Sequence, residues 1–104
     1  MRRGALPYCV LALLRDKERY GVEIVRLLAE VEGMVTSEGT IYPLLSRLRR
    51  KGQVETTWRE SATGPPRRYY KLTADGRRAL ATFAAEWARF RDGVESFVGK
   101  EAGT

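Results

Sequence analysis

Residues 36–73 read TSEGTIYPLLSRLRRKGQVETTWRESATGPPRRYYKLT. Ile41, Leu44, Leu45 and Leu48 recur at i, i+3, i+4 and i+7, a spacing that predicts an amphipathic helix with one face on a core. Ser37 is placed to cap its start and Gly52 to end it. Pro43 falls inside this run, where it removes one early hydrogen bond and predicts a local adjustment. Val54, Thr56 and Trp58 then alternate with Glu55, Thr57 and Arg59, the signature of a strand. Ala62–Pro66 reads as a loop tip, and Arg67–Thr73 as the returning strand with Arg68, Tyr70 and Leu72 on one face. Thr73 is placed to cap a further helix. Helix, basic hairpin and helix start, in that order, predict a mainly α fold with a small β-hairpin: a winged helix-turn-helix.

The outward side of the 37–52 helix carries Gly39, Pro43, Ser46 and Arg50, flanked by Thr40, Tyr42 and Arg47. This face is small at its front and basic at its back. Small front residues let a helix seat deeply in a DNA major groove, where N-terminal residues reach base edges and later arginines reach phosphates. Thr40 and Tyr42 are suited to hydrogen-bond bases, and Ser37 opens the helix N-terminus, which favours a phosphate. In the hairpin, Gly64-Pro65-Pro66 predicts a stiff tip of little bulk, able to lie along a minor groove while Arg67 and Arg68 meet phosphates. The expected DNA-contacting set is therefore Ser37, Gly39, Thr40, Tyr42, Pro43, Ser46, Arg47, Arg50, Gly64, Arg67 and Arg68. A plainer account of Arg47–Lys51 is a solvated helix end complementing the dipole; the adjoining basic hairpin argues against it. Trp58, Tyr69 and Tyr70 read as sheet and core residues. Arg2 and Arg3 add a weaker cationic signal near the N-terminus.

Outward from this block, a first helix is predicted over 4–15, with Pro7 in its opening turn. A polar turn follows over 16–20. A second helix is expected over 21–32, burying Val25, Leu28 and Val31 with Ile24 and Leu27 at the edges, and stopping at Gly33. After the hairpin, a long helix is predicted over 74–98. In it Leu80, Phe83, Trp87, Phe90, Val94 and Phe97 follow a 3-4-3-4-3 spacing, which is a two-stranded packing seam. A lone chain would leave the distal part of that seam in water, so pairing with a second copy is expected. The domain organisation that results is a DNA-binding domain over 1–73, a C-terminal dimerisation helix over 74–98 and a flexible tail over 99–104.

Composition narrows the function. The chain has 104 residues and a net charge of +6, from 19 basic and 13 acidic residues. Between Arg47 and Lys71 stand eight basic and two acidic residues, so this stretch alone carries a surplus equal to the whole. Such placement favours a polyanionic partner. There is no His and only one Cys, Cys9, which lies in an apolar run and reads as a small core residue. No catalytic constellation, metal-ligand cluster or Gly-rich phosphate loop is present, so neither an enzyme, a metal site nor a cofactor is expected. The apolar run Tyr8–Leu14 is too short to span a membrane, and a cytoplasmic protein is expected. The rival class is a winged-helix module that binds protein rather than DNA; the basic charge of the 37–52 helix and hairpin argues for double-stranded DNA.

The sequence also resembles the PadR family of bacterial transcriptional regulators. The resemblance rests on Tyr20-Gly21, on Gly39-Thr40-Ile41-Tyr42-Pro43 with Leu48, and on Gly52-Gln53-Val54. It continues through Trp58, Gly64-Pro65, Arg67-Arg68-Tyr69-Tyr70-Lys71-Leu72-Thr73, and Gly76 with Leu80. Gln53 departs from the Leu or Ile of the family pattern. With one helix after the hairpin, the chain resembles the short branch of that family. The resemblance implies a homodimeric repressor. It further implies a pocket between subunits for a small hydrophobic or aromatic effector, in which Phe83, Trp87 and Phe90 are the residues concerned. Two-fold symmetry then implies an inverted-repeat operator.

Overall fold

Ile41, Leu44, Leu45 and Leu48 are all buried in the computed structural model, which describes residues 2–31 and 37–102. The elements in chain order are α1 (Arg2–Leu13), β1 (Arg19–Tyr20), α2 (Gly21–Ala29), α3 (Glu38–Arg50), β2 (Val54–Ser61), β3 (Gly64–Leu72) and α4 (Ala74–Ala102). The apolar face of α3 meets Val10, Leu11 and Leu14 from the α1 region and Ile24 and Leu28 from α2. Val54, Tyr70, Leu72 and Leu80 close the same core. Each fully buried aliphatic side chain here contributes about 1.5–3 kcal/mol of burial free energy. This is the winged helix-turn-helix arrangement with a long C-terminal helix.

The sheet has three strands rather than two. Arg19 and Tyr20, expected in a turn, pair antiparallel with Tyr70 and Tyr69, so the order is β1-β3-β2. The hairpin is also longer and its tip shorter than the sequence suggests. Ser61 pairs with Gly64, leaving Ala62–Thr63 as the turn, and Gly64-Pro65-Pro66 belongs to β3. Prolines lack the N–H that a ladder needs; the register shift between Arg59 and Ser61 accommodates them.

Helix boundaries shift as well. The first helix ends at Leu13, where Leu14 N–H turns back to the Leu11 carbonyl at 3.0 Å. In α2 the buried face is Ile24 and Leu28, with Val25 and Leu27 half-buried and Val31 49% exposed beyond the helix end. The expected stop at Gly33 lies outside the described residues. At the other end α4 continues through Ala102, past the 98 limit and into the expected tail; 103–104 lie outside the described residues. No helix among the described residues is long and apolar enough to cross a membrane.

Two joints fix α3. At its end Gly52 takes a left-handed φ of 74°. Gln53 N–H then reaches the Leu48 carbonyl and Gly52 N–H the Arg49 carbonyl, each at 3.0 Å, which closes the last turn in a Schellman arrangement. The second joint is Thr73. Its Oγ1 accepts the Gly76 N–H at 3.0 Å, capping α4 as expected, and donates to the Gly52 carbonyl at 2.6 Å. The Thr73 N–H reaches the Gln53 carbonyl at 3.2 Å. One residue thus ties the end of α3 to the start of α4.

Candidate nucleic-acid interface

With Ile41, Leu44, Leu45 and Leu48 turned inward, the opposite side of α3 is left to solvent. Gly39, Thr40, Tyr42, Pro43, Ser46, Arg47 and Arg50 are all exposed on it. The helix is continuous through Pro43, which has no N–H to give the Gly39 carbonyl. Ser37 occupies the N-cap with extended backbone, φ −145° and ψ 166°, but its side chain makes no capping bond. Instead its Oγ lies 3.4 Å from Thr40 Oγ1, and its carbonyl accepts from Thr40 and Ile41 N–H at 3.0 and 2.9 Å. The small-then-basic surface expected from the sequence is present as one continuous face.

Tyr42 leans from this face toward α2. Its ring sits against the Gly21 backbone, where an added Cβ would lie 2.5 Å from Cε1. Burial, then the negative charge of Glu38, then Tyr70 push its phenol above the ordinary value, so it remains a neutral hydroxyl able to donate and accept.

The hairpin arginines are organised by aromatic rings. Strand alternation sends Arg67 and Arg68 to opposite faces: Arg67 pairs across the ladder with Arg59, and Arg68 with Trp58. Even so, both border one groove. Arg67 lies over the Tyr20 ring, 4.4 Å from its centroid, and Arg68 over Trp58 at 4.9 Å. The groove, of about 210 Å³, runs between α3 and the hairpin, with Gly21, Val22, Tyr42, Trp58, Arg67 and Arg68 around it. The remaining two residues that border it are Tyr20 and Tyr70, so no acidic side chain lines it. Gly64 is exposed near the hairpin turn, at a distance in the sequence pattern from this groove. The side chains of Arg2 and Arg3 lie outside the described residues.

Three features escaped the sequence reading. Trp58, expected in the sheet and core, lies in β2 but is 63% exposed, on the part of the hairpin that the core does not reach. Glu18 bonds Arg59 Nη2 at 2.6 Å and accepts from Thr57 Oγ1 at 3.4 Å, while Arg59 lies 4.6 Å over Tyr69. That arginine is therefore neutralised on the outer face of the sheet. Tyr20 serves as the platform for Arg67. Tyr20-Gly21 had stood out only as part of a family resemblance, and its role comes from packing.

At the opposite side of the domain, Tyr8 of α1 stacks on Phe83 of α4 at 4.2 Å and an interplanar angle of 4°. Phe83 and Trp87 are 6.0 Å apart, Trp87 and Phe90 5.8 Å. Together with Glu86 they border a recess of about 440 Å³. The aromatic residues singled out for an effector do converge, with Tyr8 as an unanticipated fourth. Further out Val94 and Phe97 are exposed, Phe97 at 80%. Cys9 is a free thiol raised above its ordinary value by burial. Among the described residues no three His, Cys, Asp or Glu are grouped to hold a metal ion.

Comparison with known proteins places these features in a family. The pattern of the transcriptional regulator PadR-like family matches residues 10–82. A PadR-like transcription factor from Bacteroides fragilis is 40% identical, with a TM-score of 0.78 and 92% of each chain covered. A PadR-like transcriptional regulator from Bacillus cereus is 34% identical with a TM-score of 0.86, covering 94% of this chain and 95% of that one. Bacillus subtilis PadR, solved in complex with operator DNA, is 27% identical with a TM-score of 0.71; the match covers 76% of this chain and 46% of that one.

Proposed function

The chain belongs to the PadR-like family of transcriptional regulators, and on that premise we propose that it is a homodimeric repressor reading an inverted-repeat operator. The family is one of DNA-binding regulators, not enzymes. The observation that carries the reading is the outward face of α3, Gly39 to Arg50, backed by four buried residues and flanked by a cation-lined groove without acidic lining. In this reading residues 1–73 contact DNA and 74–98 pair two copies. Thr40, Tyr42 and Ser46 face base edges. Arg47, Arg50, Arg67 and Arg68 face phosphates, as does Ser37 at the helix N-terminus, and Gly39, Pro43 and Gly64 allow close approach.

Two-fold pairing through Leu80, Phe83, Trp87, Phe90, Val94 and Phe97 would set the two α3 helices about one helical turn of DNA apart, blocking transcription when the site is occupied. The operator complex of Bacillus subtilis PadR supports the DNA partner. A small hydrophobic or aromatic effector fits the recess bordered by Phe83, Trp87 and Phe90. Since Thr73 joins α4 to the end of α3, a shift of the paired helices there would tilt the reading helices and change operator affinity by the effector's differential binding to the two states.

The test is binding to a labelled duplex from the DNA upstream of its own gene, against a scrambled duplex, over a salt series. Tight, selective and salt-sensitive binding is expected. Equal, weak binding to both would mean that the basic face does not select that DNA, and would favour the protein-binding alternative.

A further inference from the structure

Trp58 stands on the hairpin beyond the reach of the core. An indole forgoes about 25 cal/mol for each Å² of apolar surface it leaves in water. This one is 63% exposed on a projecting hairpin. It is not idle there: the Arg68 guanidinium lies over it, 4.9 Å from the ring centroid. Across the groove stands Tyr42, 37% exposed on the reading helix, with Gly21 and Val22 between and Arg67 beside. The groove therefore has two aromatic walls, two guanidinium groups and no carboxylate, which suits an occupant with apolar surface and regular negative charge.

We infer that this groove seats the sugar–phosphate strand bordering the major groove. In that arrangement Trp58 packs on deoxyribose and acts as the positioning residue that holds the Arg68 guanidinium toward a phosphate. The inference rests on the DNA-reading assignment above and adds a residue and a contact to it. The geometry commits to backbone rather than bases. With α3 in the major groove and the hairpin lying beside it, the strand edge of that groove must pass between Tyr42 and Trp58. A ring beneath an arginine limits the rotamers the arginine explores and leaves its N–H groups free for an anion.

The experiment uses the full chain and the labelled upstream duplex, comparing wild type with Trp58→Ala, Trp58→Phe, Arg68→Ala and the double variant Trp58→Ala/Arg68→Ala. Thermal unfolding checks that each is folded. Trp58→Ala is expected to weaken binding about fivefold, and to flatten the slope of log affinity against log salt by about 0.9, one phosphate contact. Trp58→Phe keeps a ring under the guanidinium and should stay within about twofold of wild type. The double variant should lose less than the sum of the two single losses, because the ring acts in part through the arginine. Duplex should also quench a tryptophan emission component that Trp58→Phe lacks. Wild-type affinity and slope in Trp58→Ala, fully additive losses, or an emission component blind to DNA would each overturn the inference while leaving the regulator reading intact. A wild type that binds no duplex selectively would overturn both.

Discussion

Gly21 and Gly76 show how single hydrogen atoms allow the close packing around α3. At Gly21 the absent side chain is the space that the Tyr42 ring fills, 2.5 Å from where Cβ would stand. Gly21→Ala is expected to swing Tyr42 off its seat on the reading face. Operator selectivity measured against a scrambled duplex should fall about tenfold or less, the value of one or so lost base contact, while far-UV dichroism stays unchanged. Unaltered selectivity would mean that Tyr42 does not read bases. Gly76 differs, because its obstacle is the Gln53 backbone carbonyl, in direct conflict with any added Cβ, with Leu72 Cδ1 at 2.6 Å. A ring can turn; a carbonyl already engaged by Thr73 cannot move without breaking the α3–α4 joint. Gly76→Ala should cost about 1–3 kcal/mol in urea unfolding, more than Gly21→Ala. The reverse order would show that the joint yields more easily than the ring.

At the scale of elements, the proposed function divides the work of binding between α3 and the hairpin, and the division can be measured. Arg67→Ala with Arg68→Ala removes the cations beside the groove. It should weaken binding to every sequence and lower the salt slope by about 2 at most, about 0.9 per phosphate. Thr40→Ala or Tyr42→Phe should instead change sequence preference with little effect on slope; similar behaviour of both types would refute the division. On the outer sheet face Glu18 holds Arg59 at 2.6 Å. Glu18→Gln should release that cation, raise affinity for any duplex and steepen the slope by up to about 0.9; an unchanged slope would place Arg59 away from DNA. Much of this was legible in the sequence where a pattern repeats within one element. Four residues of α3 express the helical period and so define both its buried and its outward face. Patterns too short or too symmetric were not. Two residues of β1 show no alternation, and their strand character comes from Tyr69 and Tyr70. In α2 a stripe can be drawn through Val25, Leu28 and Val31 as well as through Ile24 and Leu28, and only packing against α1 and α3 selects the latter. Alternation places Trp58 on the same side of β2 as Val54, yet the core ends at Tyr70 and the hairpin carries that side onward into solvent. The Glu18–Arg59 pair joins residues 41 apart, a distance no local pattern spans.

For the whole molecule the decisive feature is that α4 outruns its own domain. The molecule measures 55 × 27 × 22 Å, and 29 residues of helix extend about 44 Å at 1.5 Å each. Contact with the body lasts as far as Leu80, in the core, and Phe83, stacked on Tyr8. Beyond it Trp87, Phe90, Val94, Phe97 and Val98 remain exposed. Burying the exposed part of several such side chains against a second α4 would gain a fraction of the roughly 1.5–3 kcal/mol that full burial of each is worth, which supports the proposed self-association. The same pairing would turn two weak half-site contacts into one linked event, since the second reading helix is delivered at high effective concentration. Phe90→Glu introduces a charge in the middle of this stripe without touching the core, α3 or the hairpin. It should convert dimer to monomer in sedimentation velocity and abolish the rise of melting temperature with protein concentration expected of wild type. Operator affinity should fall by about 10²-fold or more, while a single half-site duplex is bound as before. If the wild type sediments as a monomer at concentrations where it binds its operator tightly, pairing is not the source of that affinity, and the exposed stripe of α4 has another occupant.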